Sequence, residues 1–105
     1  MACLIWTEPA IRALEEIADY IALENTDAAC RLIQRVFDTA GRLEKFPLSG
    51  KRPKELLDGR YREIIVTPCR IFYRCAKETV YVLHVMRSER VLRMESICRG
   101  EPEIN

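Results

Sequence analysis

The sequence has few of the residue groupings that carry chemistry. Histidine occurs once, at His84. The five cysteines, Cys3, Cys30, Cys69, Cys75 and Cys98, include no CxxC pair, and His84 is not near any pair in sequence. A zinc site therefore lacks a ligand set, and neither a metal nor a cofactor is expected. No glycine-rich loop is present to cradle a phosphate, and no paired carboxylates support glycosidase chemistry. No serine or cysteine nucleophile is joined to His84 by any motif. Apolar runs fall well short of the ~20 residues of a membrane span, and nothing at the N-terminus reads as a signal peptide. A cytoplasmic protein with reduced thiols follows as the expectation, with Cys30 and Cys69 as buried free thiols among apolar neighbours. Net charge is only +1, so no whole-protein field draws nucleic acid, and any basic site must come from how the charges are placed.

What is present is an ordinary globular balance. The chain has 105 residues, 49% of them hydrophobic and 31% charged. That length predicts a single domain over 1–105 with one simple core, such as a helical layer on a sheet. Cys3 to Trp6 reads as a short first strand. Thr7, Glu8 and Pro9 then make a helix start, with Thr7 as cap, Glu8 at the positive end of the dipole and Pro9 where its missing N–H costs nothing. Ala10, Leu14, Ile17 and Ile21 follow at helical spacing. Asn25, Thr26 and Asp27 form a turn and cap. A second helix then places Ala29, Leu32, Ile33, Val36, Phe37, Ala40 and Leu43 on one stripe, and ends at Pro47. So short a connection predicts an antiparallel helix hairpin whose apolar stripe needs a sheet to cover.

The sheet comes later. Leu48 to Gly59 is a basic loop whose Lys51, Arg52 and Lys54 read as surface charge. Tyr61 to Thr67, Cys69 to Cys75 and Thr79 to Met86 are predicted strands with tight connections, hence an antiparallel meander. The Cys69–Cys75 strand alternates: Cys69, Ile71, Tyr73 and Cys75 on one face, Arg70, Phe72 and Arg74 on the other. Antiparallel neighbours would bring Arg62, and His84 or Arg87, to a nearby surface, according to register. Such a face is either a solvated outer surface or a binding face, for phosphate, a stacked base or an acidic peptide. His84 can be structural, a general base or a contact. Arg87, Ser88, Glu89 and Arg90 can form a helix start with Ser88 as N-cap, and Val91 to Cys98 a short helix or an extra strand. The tail from Gly100 to Asn105 looks frayed.

The order of these pieces resembles the RelE/ParE superfamily of toxins from bacterial type II toxin–antitoxin modules, and most closely its ParE-like branch. The parts that carry the likeness are TEPAIRALEEIADYI, the second helix ending LEKFP, then GRYREIIV, CRIFYR and VYVLHVMRSERVL. The resemblance implies an α+β fold, an antiparallel helix hairpin on a mainly antiparallel twisted sheet of about four strands. It implies two candidate activities: inhibition of DNA gyrase, or metal-independent cutting of messenger RNA on the ribosome. A ribonuclease would use Arg62, Arg70 and Arg87, but Ile64 fills a position that is basic in RelE-like members. Met94 stands where those members carry a tyrosine, and no Tyr or His follows His84. Arginine is a poor proton acceptor, so the resemblance favours a gyrase poison acting by binding. A cognate antitoxin is implied as partner, wrapping the toxin with its C-terminal segment. Arg62, Arg70, Arg74, His84, Arg87 and Arg90 are the expected target or antitoxin contacts, and a homodimer or toxin–antitoxin hetero-oligomer is the expected assembly. An inactive antitoxin-binding module is the third reading.

Overall fold

The computed structural model describes residues 1–56 and 58–102. Strand β1 (Cys3–Trp6) leads into helices α1 (Glu8–Ala22) and α2 (Thr26–Gly41), then strands β2 (Tyr61–Val66), β3 (Cys69–Ala76) and β4 (Thr79–Arg87), and a closing helix α3 (Met94–Gly100). The α+β expectation holds. The four strands lie in the order β1-β4-β3-β2, antiparallel except for β1, which pairs with β4 in parallel. Two antiparallel reversals bring β4 back to the direction of β2, and β1 runs the same way beside it.

Local chemistry explains the elements. Asn25 caps α2, its side-chain oxygen accepting from the Ala28 N–H at 3.0 Å. Thr7 occupies the N-cap position of α1, but its hydroxyl donates to the Val82 carbonyl at 2.7 Å, so it pins the helix start to the sheet and does not cap. The turn joining β3 to β4 holds Lys77 and Glu78 at φ 50° and 64°, the two left-handed residues of a tight hairpin, without the usual glycine.

One core lies between the hairpin and the sheet. Ala10, Leu14, Leu32 and Val36 meet Cys69, Ile71, Val82 and Val85 there. Cys69 is buried as expected; Cys30 is exposed, on the outer side of α2. Phe37, assigned to the apolar stripe by its spacing, sits at the margin against Trp6, ring centroids 4.8 Å apart.

A second core, which the sequence did not announce, fills the other side of the sheet. Tyr61, Phe72, Leu83, Met86, Leu92 and Ile97 form it, and α3 is its lid. A bulge makes room for it. Phe72 pairs with His84 but Tyr73 with Val82, so Leu83 is the extra residue on β4. Arg87 to Arg90 form a strand end and turn, not a helix start; α3 begins at Met94, with Arg93 at its N-cap position. Gly100 ends α3 against β4 with no room for a side chain, since a Cβ there would stand 2.1 Å from the Leu83 carbonyl oxygen.

Gly100→Ala should therefore undock α3 and cost about 1–3 kcal/mol in urea unfolding. Gly41→Ala, in helical backbone with nothing within 4 Å of the new Cβ, should be neutral or stabilising by up to about 1 kcal/mol. Equal effects from the two substitutions would contradict this packing.

Candidate functional site

The alternation along β3 is real, but the face bearing Arg70, Phe72 and Arg74 is not open. Register places Tyr61, Glu63 and Ile65 of β2 opposite Arg74, Phe72 and Arg70. Phe72 is fully buried beneath α3 and Arg70 is 7% exposed. Within this covered face the arginines are held by carboxylates. The Arg70 Nε and Nη2 donate to Glu63 Oε2 at 2.9 and 2.6 Å. Its Nη1 and Nη2 donate to the two oxygens of Glu55, each at 2.7 Å. The guanidinium also lies over the Phe72 ring, 4.8 Å from the centroid. Glu55 takes a further hydrogen bond from the Leu92 N–H at 3.3 Å. One arginine thus ties the basic loop, the β2–β3 pair and the approach to α3 together.

Arg74 is engaged in the same way. Its Nη1 contacts Glu101, which also accepts from the Tyr61 hydroxyl at 2.8 Å. Burial pushes the Tyr61 phenol up, and the Glu101 carboxylate adds to it. Glu101 therefore anchors the start of a tail expected to fray; Glu103 to Asn105 lie outside the described residues.

His84 shares this face, its ring stacked on Phe72 with centroids 6.2 Å apart. Burial, with Arg99 nearby, lowers its pKa, which favours the neutral imidazole. The remaining predicted residues lie elsewhere. Arg62 pairs with Tyr73, on the hairpin side of the sheet, where Nη1 donates to the Leu48 and Gly50 carbonyls at 3.1 and 2.8 Å. Arg87 pairs with Cys69 at the far end of β4 and donates to Glu89 at 2.8 Å. Arg90 is exposed in the following turn. Arg62, Arg70 and Arg87 do not converge on one surface. Arg62 and Arg70 occupy opposite faces, while the partners of Arg62 and Arg87 stand four positions apart along β3, ~13 Å at the rise of a strand.

Sequence reasoning missed Glu55, Glu63 and Glu101, the acids that engage the two β3 arginines. A signal existed: Glu63 sits at the right parity in YREIIV to face Arg70 across the strand pair. Among the described residues no three of His, Cys, Asp or Glu are placed to hold a metal ion, and no helix is long and apolar enough to cross a membrane.

The Arg70 cluster carries a pH signature. Hydrogen bonding to Arg70 holds the Glu55 carboxyl down at about 2, from an ordinary 4.5. A depressed folded-state pKa stabilises the fold above the unfolded value and loses that contribution as pH falls through the folded one. Stability should thus fall between about pH 4.5 and pH 2, with Glu55 contributing on the order of 2–3 kcal/mol. Glu55→Gln should lower stability at pH 7 and flatten the acid limb of urea midpoint against pH; an unchanged limb would remove Glu55 as its source.

Comparison with known proteins agrees with this architecture. Residues 4–92 match the family model described as "ParE toxin of type II toxin-antitoxin system, parDE". A Sinorhizobium fredii protein, Y4kP, named as a candidate toxin, is 34% identical over 85 residues, 81% of this chain and 86% of that protein. A chain from the chromosomal ParDE TA system of P. aeruginosa superposes with a TM-score of 0.71 at 24% identity, over 85% of this chain and 98% of that one, and shares the fold. With the family model spanning most of its length, the chain belongs to the ParE toxin family of type II toxin–antitoxin systems.

Proposed function

We propose that this toxin acts by binding, with DNA gyrase as its target, and that a cognate antitoxin neutralises it. The observation that carries the reading is the dispersal of Arg62, Arg70 and Arg87. A metal-independent ribonuclease must activate a 2′-hydroxyl and protonate a leaving oxygen around one phosphate, so its groups must converge. Here Arg70 is clamped between two carboxylates, Arg62 is bonded to backbone carbonyls on the opposite face, and His84 is stacked beneath α3. The basic groups at the surface are spread as a rim, Arg87 and Arg90 among them, which suits contact and not proton transfer.

The antitoxin reading rests on the family and on two surfaces. The helix hairpin exposes Ile11, Tyr20, Leu23 and Phe37. Arg87 lies near Tyr20 of α1. An amphipathic, acidic antitoxin segment would lay its apolar side on the first set and its carboxylates on Arg87 and Arg90.

Purified toxin added to a gyrase supercoiling reaction should yield linearised plasmid, and a translating ribosome mixture should show no cleaved message. Message cleavage without plasmid linearisation would establish the ribonuclease instead, and neither effect would leave only an antitoxin-binding module. Arg87→Glu should weaken antitoxin binding at least tenfold by calorimetry; unchanged affinity would take Arg87 out of that interface.

A further inference from the structure

The loop before β2 forms a concave surface that the binding reading does not yet use. Lys51, Arg52 and Lys54 line it together with Glu63, Ile65, Arg70 and Ser88, around a volume of about 340 Å³. We infer that this surface is a phosphate-contact site for the backbone of duplex DNA. The choice of duplex DNA rests on the gyrase reading; the choice of a phosphodiester rests on the lining itself.

Four cationic side chains and one carboxylate meet here, in a chain whose net charge is +1. Arg70 is shared between Glu63 and Glu55, at 2.6 and 2.7 Å, and Lys51 stands 3.5 Å from Glu63, so these two cations offset the two carboxylates and the charge of Arg52 and Lys54 is left over. Among the described residues Arg52 and Lys54 have no carboxylate partner. The rim charges are exposed, so binding need not strip them of water in advance. What the lining offers a ligand is therefore donors: two ammonium groups, a guanidinium and the Ser88 hydroxyl. A phosphodiester presents acceptors only, and matches. An extended peptide brings its own N–H groups and would leave them poorly served here. Ile65, 46% exposed, gives a flat apolar contact suited to a sugar.

The loop is also rigid where rigidity helps. Lys51 and Glu63 exchange backbone hydrogen bonds at 3.0 and 2.7 Å, and Glu55 is held by Arg70 immediately after Lys54. The three rim side chains project from a fixed backbone, so little loop ordering opposes binding.

The test uses the full chain and a short fluorescent DNA duplex, with anisotropy followed from about 50 to 200 mM salt. Lys51→Ala/Arg52→Ala/Lys54→Ala should weaken binding at least tenfold and reduce the salt slope by about 2 to 3, one counterion per lost phosphate contact. Arg31→Ala/Arg35→Ala/Arg42→Ala, with equal charge removed from the exposed side of α2 and the turn after it, should leave both nearly unchanged. The site is overturned if the wild type does not bind the duplex, if the two triple variants weaken binding alike, or if poly-glutamate of equal charge displaces the duplex as well as unlabelled DNA does. Failure of plasmid linearisation by a wild type whose duplex binding depends on the loop would sink the gyrase reading while supporting the site.

Discussion

A single buried guanidinium holds the second side of this sheet together. Arg70 projects from the central strand into an apolar layer, where an unpaired charge would be untenable. Two carboxylates from separate segments come to it, Glu55 from the basic loop and Glu63 from β2, and Glu55 reaches on to the backbone before α3. A planar fork of donors suits this task as an ammonium would not, since it can satisfy both acids in fixed directions. Such clusters gain little net stability over apolar packing, yet removing one partner leaves a charge stranded, at a cost of about 3–5 kcal/mol. The cluster is therefore better understood as fixing where the loop and the closing helix go.

That constraint decides where function can reside. With the helix hairpin on one face and α3 over the middle of the other, that second face stays open only at its margins, at Ile5 of β1 and Ile65 of β2, 44% and 46% exposed. What remains at the surface is the edge beside β2, the turn after β4 and the outer side of the hairpin. The cations divide accordingly. Arg70 and Arg74, shielded and paired, position structure; Arg87, Arg90 and the loop basics remain at the surface. The same residue type serves both purposes, and only burial separates them.

Much of the fold was legible because periodicity is a physical signal. Helical spacing in TEPAIRALEEIADYI and alternation in CRIFYR report which side of each element is apolar, and the hairpin, the strands and the first core follow. The alternation also misled. Phe72 between two arginines reads as an aromatic on a polar face, but that polarity is internal, cancelled by Glu55, Glu63 and Glu101, which lie 7 to 27 positions away in sequence. The parity of Glu63 in YREIIV hints at one such pairing, but nothing local announces Glu55 or Glu101. The bulge at Leu83 is equally silent: VYVLHVM reads as one continuous strand, and only the pairing shows that an extra residue turns Leu83 toward α3. Thr7 failed as a cap for a related reason, because a hydroxyl beside a strand carbonyl has a tertiary acceptor as good as the local one.

On the proposed reading, a toxin of this build binds and does not cut. Proton transfer in the absence of a metal demands groups held within hydrogen-bonding distance of one another and tuned to titrate near neutrality. The groups best held here are arginines, which do not titrate, and a histidine whose burial favours the neutral form beneath a helix. The freest are long, flexible lysines and arginines on loops, poor at fixing a reacting atom but well suited to meeting phosphates, whose charge recurs regularly along a duplex and forgives small errors of position. On that proposed reading, a rigid scaffold fringed with long basic side chains is suited to holding an enzyme–DNA complex in place.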